Sequence, residues 1–426
     1  MGRHQWLTGT IGILSAALAL SGCGSSGPER TPRLTVTPRA GLVDRARTIT
    51  ISGLDPGEHV TLDARTRIAG AIWGSSTDYA ADRHGEVDLS TAAPISGSYH
   101  GASVMGPFWS ESYEHDAATV DRSASVTTLT ATTGSGHSTS ATVTQSYRGP
   151  GVRAQPATLA RQGFVGDYFT PRRRLRGDPA VVIWGGSEGG DASVIPDAQL
   201  LASNGIPSLA IAYFDAPGLP CSLSNIPIEY FVKAIRWLKQ QPSIDPGKIW
   251  AWSVSRGSEA LGLVAAHWPD LVHGLIDVSG SSVVNESFKG HCVTTTLSAW
   301  TLKGHAVPYD TGFGTTGLIP TLARPATIPF GHYHGPVLLV SGAADGIWPS
   351  DRYEDIIMRE LRTDPAAHLH LNYPHAGHAD LGPPYTPVLL EANDHGTTVH
   401  LGGTAAGYEN ARLHDWPAML HFITSH

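Results

Sequence analysis

The sequence predicts a two-part fold: an all-β, immunoglobulin-like sandwich followed by an α/β domain on a mainly parallel sheet. Three observations predict it. At 426 residues the chain is too long for one typical domain and has apolar content for a sizeable core. From Leu34 to about Gln145, short β-branched runs alternate with Gly, Pro and Asp breaks, and no helix of useful length is expected. After about residue 160, buried apolar runs alternate with amphipathic segments, the pattern of a sheet covered by helices on its faces.

The chain opens on an export signal. Arg3 and His4 precede the mostly apolar stretch Ile11 to Leu20, which is too short to span a bilayer as a helix. Leu20-Ser21-Gly22-Cys23 then resembles the bacterial lipobox, in which cleavage leaves the cysteine at the new N-terminus with a diacylglycerol on its sulfur. Residues 1–23 are therefore expected to be a lipoprotein signal, with Cys23 lipidated and the protein anchored on the extracytoplasmic face of the cell membrane. The alternative is an ordinary secretion signal with a chance cysteine. Residues 24–33, including "GSSGPERTP", read as a flexible tether. Cys221 and Cys292 remain, and outside the cytosol such a pair is expected to close as a disulfide, two buried free thiols being the alternative. Neither has a metal-ligand spacing, and no metal is expected.

Residues 34–150 hold the sandwich strands "RLTVTP", "TITISGL", "HVTLDA", "SVTTLTATT" and "SATVTQSY", and "SYRGPG" marks the boundary. In residues 151–426 the expected strands are "AVVIWG" (180–185), "PSLAIAYF" (207–214), "KIWAWSV" (248–254), "GLIDVSG" (274–280), "PVLLVSG" (336–342) and "HLHLNYP" (368–374). A helix is expected over 226–241. The stretch from Ser281 to His334 is long and rich in Thr, Gly and Pro, a length usual for lids over a site.

"WAWSVSRGSEA" (251–261) places Ser255 between a strand and a helix, flanked by small residues at 253 and 257. That is nearly a G-x-S-x-G elbow, in which a sharp turn lifts the serine hydroxyl above the sheet edge and small flanks let the backbones pass. Alone the signal is weak. Its partners follow in the α/β-hydrolase order: Asp345 after the next-to-last strand and His378 after the last. His378 would take the proton of Ser255, and Asp345 would orient the ring and stabilise the imidazolium. Two backbone amides would form the oxyanion hole, that of Arg256 and one in "WGGSEGG" (184–190), assigned to Ser187. A nucleotide-binding loop is the alternative for that segment, although neither glycine-rich fingerprint is present. No cofactor is expected.

With these residues in place, the chain resembles the acyl-CoA thioesterase and bile acid-CoA:amino acid N-acyltransferase family. The resemblance rests on "LTVTP", "ISGLDPGEHVTLDA" and "GSYHGASVMGPFWS" in the first part. In the second it rests on "GGSEGG", "LLASNGIPSLAIAYF", the elbow, "AGHADLGPPYTP" and "GGTAAGYENARLHDWPAMLHFI". It implies an α/β-hydrolase catalytic domain, the triad Ser255, Asp345 and His378, and an acyl-CoA-like or lipid ester substrate. In the family the conjugating transferases have cysteine at the nucleophile and the hydrolases usually serine, so Ser255 implies hydrolysis. A transferase, or a binding lipoprotein that keeps the fold, is the alternative. Two departures stand out: an export signal where the family acts on intracellular thioesters, and Ser253 where a glycine is usual.

A net charge of −8 with 15% charged residues argues against a nucleic-acid partner. "PRRRLRG" (171–177) reads as a solvated turn or a phosphate contact, and "HYH" (332–334) and "HLH" (368–370) lack a third metal ligand. Asp351 is expected to cap the helix "DRYEDIIMRELR", Asp380 lies too near His378 to reach its far nitrogen, and the resemblance implies that His375, close to His378, is not the base. Nothing in the sequence sets an oligomeric state.

Overall fold

The computed structural model describes residues 30–426 except 69, 117–123, 174–177, 243, 288–291, 293–296, 312–323, 379–380 and 395–396. Cys23 and the signal, part of "PRRRLRG", and Asp380 lie outside the described residues.

Among the described residues the first part is all-β apart from one turn of helix at Gly106–Trp109. A small sheet pairs Arg33–Thr37 with Thr48–Ser52 and the latter with Val87–Asp88. A larger one is centred on His59–Ile68, which lies antiparallel between Ala71–Ala80 and Ala124–Thr133. Alternation does the packing. In His59–Ile68 the inward positions Val60, Leu62 and Ala64 meet Ile49 and Ile51 of the other sheet together with Leu129 and Val143 in one core. Ala71–Ala80 is not among the expected strands, because Gly74, Ser75 and Ser76 weaken its β signal; ten paired residues with His59–Ile68 override that preference.

The second part is an eight-stranded sheet: β1 (Arg153–Ala157), β2 (Val165–Thr170), β3 (Asp178–Trp184), β4 (Ser208–Ala212), β5 (Ile244–Val254), β6 (Gly274–Val278), β7 (Val337–Gly342) and β8 (His368–Tyr373). Their order is β1-β2-β4-β3-β5-β6-β7-β8, the α/β-hydrolase arrangement expected from the order of the chemistry. From β4 to β8 every neighbour is parallel. β1 and β2 are antiparallel additions that the sequence reading does not place, being short and weakened by Pro156 and Gly166.

Helices cover both faces: α1 (Ile195–Ser203) and α5 (Ala405–Ser425) on one, α2 (Ile228–Lys239) and α3 (Gly257–His267) on the other, with α4 (Ser350–Leu361) following β7. β3 divides its side chains between them. Val182 and Trp184 join Phe231, Ile235, Leu261 and Val264, while Val181 and Ile183 join Trp250, Trp252, Met419 and Phe422. α2 buries Ile228, Phe231, Val232, Ile235 and Leu238, a helical stripe whose large apolar members each contribute about 1.5–3 kcal/mol on burial. At α4 the expectation is corrected. The cap position is Pro349 and Asp351 sits inside the first turn, because Ser350 already has helical geometry.

Candidate active site

The site begins with the buried strand β5. Ile249, Trp250, Ala251 and Trp252 fix it in the middle of the sheet, and the chain then turns sharply at Ser255, whose φ is +55°. A non-glycine residue in that region costs of order 1–3 kcal/mol and persists only where its surroundings hold it. Here the Ser255 amide donates to the carbonyl of Val278 at 2.9 Å and α3 starts two residues later. Gly257 is required: a Cβ there would stand 2.2 Å from the Gly185 carbonyl oxygen and 2.2 Å from Ser253 Oγ. Ser253 is accommodated because its hydroxyl donates to the Trp184 carbonyl at 3.1 Å.

Above the turn, three side chains from three loops form one hydrogen-bonded line. Ser255 Oγ lies 2.7 Å from His378 Nε2, and His378 Nδ1 lies 2.9 Å from Asp345 Oδ2. Ser255 and His378 are buried, and the Asp345 side chain is 2% exposed. Asp345 is held by more than the histidine. Its Oδ1 accepts the amides of Ile347 (2.8 Å) and Trp348 (3.1 Å), and its Oδ2 accepts Ser350 Oγ (2.7 Å). His378 is fixed by its amide donating to Leu401 O, by Tyr408 Oη donating to its carbonyl, and by Trp348 edge-on at 5.6 Å. Sequence reasoning missed Trp348, Ser350 and Tyr408. Only "DGIWPS", a run of turn residues before a helix, carried a trace of the first two.

The two residues expected to supply oxyanion donors flank the serine. Arg256 follows it directly, and Ser187 follows Gly186, whose own added Cβ would stand 2.9 Å from Ser255 Cβ. The Arg256 guanidinium is buried and bound internally: Nε meets Glu259 Oε1 at 2.7 Å, and Nη2 donates to the carbonyls of Asn285 (3.2 Å) and Glu286 (2.7 Å). Glu259 also accepts Asn285 Nδ2 and Trp300 Nε1. This network ties the elbow to the Ser281–His334 segment. That segment is joined a second time by the Cys221–Cys292 disulfide, with Cα atoms 6.1 Å apart, and a third time by parallel pairing of Ile226–Pro227 with Trp300–Thr301.

The other candidates lie elsewhere. His334 pairs with Asp364 (2.7 Å), and His370 with Glu354 (3.0 Å). Among the described residues no group of three or more His, Cys, Asp or Glu is placed to hold a metal ion. The His375 carbonyl accepts the Thr404 amide.

A strained serine, a histidine and an aspartate on three loops at one end of a parallel sheet is an arrangement able to carry out acyl transfer by a covalent route. Comparison with known proteins gives the family. Residues 44–158 match the acyl-CoA thioester hydrolase/BAAT N-terminal region, and residues 226–426 match the BAAT/acyl-CoA thioester hydrolase C-terminal domain. The chain belongs to the acyl-CoA thioester hydrolase and bile acid-CoA:amino acid N-acyltransferase family. It is 26% identical to the mouse peroxisomal succinyl-coenzyme A thioesterase, over 90% of this chain and 94% of that protein. It is 28% identical to mouse acyl-coenzyme A thioesterase 6 (89% and 93%) and 26% identical to human bile acid-CoA:amino acid N-acyltransferase (92% and 97%). Among solved structures, the dienelactone hydrolase from Anabaena variabilis aligns over 54% of this chain and 88% of its own, at 17% identity and a TM-score of 0.35.

Proposed function

We propose that this family member is a serine hydrolase that cleaves an acyl thioester or ester, acyl-CoA-like or lipid, and releases a free fatty acid. The observation that carries the reading is the continuous line from Ser255 Oγ through His378 to Asp345. His378 Nε2 takes the hydroxyl proton as Oγ attacks the acyl carbonyl carbon. The resulting oxyanion is met by the amides of Ser187 and Arg256. Collapse expels the thiol or alcohol with the proton returned by His378, leaving acyl-Ser255, and water repeats the sequence to release the acid. Asp345 keeps the Nδ1 proton in place and stabilises the imidazolium. Serine at the nucleophile supports water as the final acceptor.

The test is release of free acid from paired acyl-CoA and oxygen-ester substrates of several chain lengths, beside Ser255→Ala. The expected outcome is turnover of at least one series and a loss of roughly 10⁴-fold or more in the variant. Undiminished turnover in Ser255→Ala refutes the assignment. Acyl transfer to added glycine or taurine in preference to water would make the enzyme a transferase.

We infer further that the protein is lipid-anchored through Cys23 on the extracytoplasmic face of the membrane. The lipobox-like "LSGC" supports this, as does the pairing of Cys221 with Cys292, which an oxidising compartment would preserve. Cys23→Ser should move the protein from the membrane to the soluble fraction; equal membrane retention of the variant contradicts the anchor.

A further inference from the structure

Gly186 must be small to pass Ser255, and glycine brings backbone freedom that an oxyanion loop cannot tolerate. The loop is restrained from outside by a buried tyrosine. Tyr213, 1% exposed, directly follows β4, and its hydroxyl donates to the carbonyl oxygen of Gly186 and, at 3.1 Å, to that of Gly185. Burial, reinforced by the Glu188 carboxylate, pushes its phenol well above the ordinary value, so the hydroxyl stays protonated and donating.

Peptide geometry makes this contact consequential. A trans peptide holds its C=O and N–H antiparallel in one plane, and the Gly186 oxygen and the Ser187 N–H belong to the same unit. Holding the oxygen toward Tyr213 therefore turns the Ser187 N–H to the opposite side. That N–H makes no hydrogen bond among the described residues. The preceding peptide is held at both ends: Tyr213 takes the Gly185 oxygen, and the Gly186 N–H donates to Glu188 Oε2 at 2.9 Å. Glu188 is itself braced by Ser193 Oγ on Oε1 at 2.5 Å.

We infer that Tyr213 is a positioning residue for the oxyanion hole, its hydroxyl setting the plane of the Gly186–Ser187 peptide before substrate arrives, with Glu188 steadying the peptide behind it. This rests on the reading of Ser255 as the nucleophile. A preorganised donor works because it does not reorient during reaction; deleting one outright costs roughly 10²–10³-fold in rate, and loosening one should cost less.

The experiment uses full-length protein in detergent and the variant Tyr213→Phe, which keeps the ring packed against Phe214, Phe231 and Trp300. An alkyl fluorophosphonate serves as the probe, since its attack by Ser255 places a phosphoryl oxygen in the same hole whatever the natural acyl group. The expected result is a maximal inactivation rate lowered roughly 10- to 100-fold, half-saturation unchanged within about twofold, and a melting temperature close to wild type. Glu188→Ala, a change at an exposed side chain, should show a smaller loss of the same kind. A wild-type inactivation rate in Tyr213→Phe overturns the inference whatever Glu188→Ala shows, as does a loss in Tyr213→Phe that appears equally in half-saturation and melting temperature. If wild-type protein is labelled away from Ser255, the underlying nucleophile reading has failed; if it is labelled at Ser255 and Tyr213→Phe reacts normally, only this inference has failed.

Discussion

At the scale of single residues, Asp345 shows what the sequence conceals. Its place after a strand and its order between Ser255 and His378 make it legible as the acid. Its other donors are not legible: two are backbone amides, and the third, Ser350, lies among ordinary turn residues until the fold brings it to Oδ2. Trp348 and Tyr408 escape for the same reason, since a ring edge on an imidazole and a hydroxyl on a carbonyl leave no spacing pattern. Ser350 is the one donor that can be removed without touching the backbone. Ser350→Ala should lower kcat about tenfold with KM nearly unchanged, because a hydrogen bond to a charged group is worth about 1.5–3 kcal/mol and Oδ2 would then rest on His378 alone. Steady-state kinetics on whichever ester is turned over check this, and an unchanged kcat shows that the amides suffice.

At the scale of elements, the parallel strands β3 to β7 are legible because each contains a buried apolar run, β8 because Leu369 and Leu371 alternate with polar residues, and the helix over 226–241 because its apolar stripe keeps a helical period; the structure trims it to Ile228–Lys239. Strands that depend on partners are not. Ala71–Ala80 and the antiparallel pair β1 and β2 carry Gly, Ser or Pro and exist because neighbours supply the ladder. The elbow lies between these cases, suggested by local spacing and explained only by packing. Gly257→Ala would drive a methyl against the Gly185 carbonyl, a backbone atom that cannot swing aside. The expected cost is about 3 kcal/mol in stability with loss of most activity, since the displaced backbone leads into Gly186. Denaturant unfolding beside kinetics checks it, and native stability in that variant means the elbow has room for a methyl group.

At the scale of the whole molecule, the seam between the sandwich and the sheet combines apolar packing, with Val43 and Tyr147 in one core with Leu200, Trp416 and Met419, and polar contacts that no local pattern announces. Asp44 Oδ2 accepts Asn204 Nδ2 and Trp416 Nε1, and Gln145 Nε2 donates to the carbonyl of Tyr385, whose ring packs on the sandwich core. Tyr385, at φ +70°, is held in turn by Glu409 Oε2, which accepts its amide at 2.9 Å. Burial raises the Glu409 carboxyl to about 7. With the folded value above the ordinary 4.5, the native state retains a proton that the unfolded chain loses. This contribution is complete below about pH 4.5, falls as pH rises toward 7 and is gone above it, a change of at most about 3 kcal/mol. Glu409→Gln should therefore flatten the decline in stability between about pH 4.5 and 7 relative to wild type. Unfolding midpoints across that range decide it, and parallel curves for the two proteins contradict the assignment.

Ser255, set on a strained turn and joined to His378 and Asp345, is the nucleophile on which the proposed chemistry depends. Its most direct test is peptide mapping by mass spectrometry after treatment with an alkyl fluorophosphonate. One covalent adduct is expected, on Ser255, absent when His378 is replaced by Ala or when the protein is unfolded beforehand. An adduct on another residue, or none on Ser255 in the native enzyme, would contradict it.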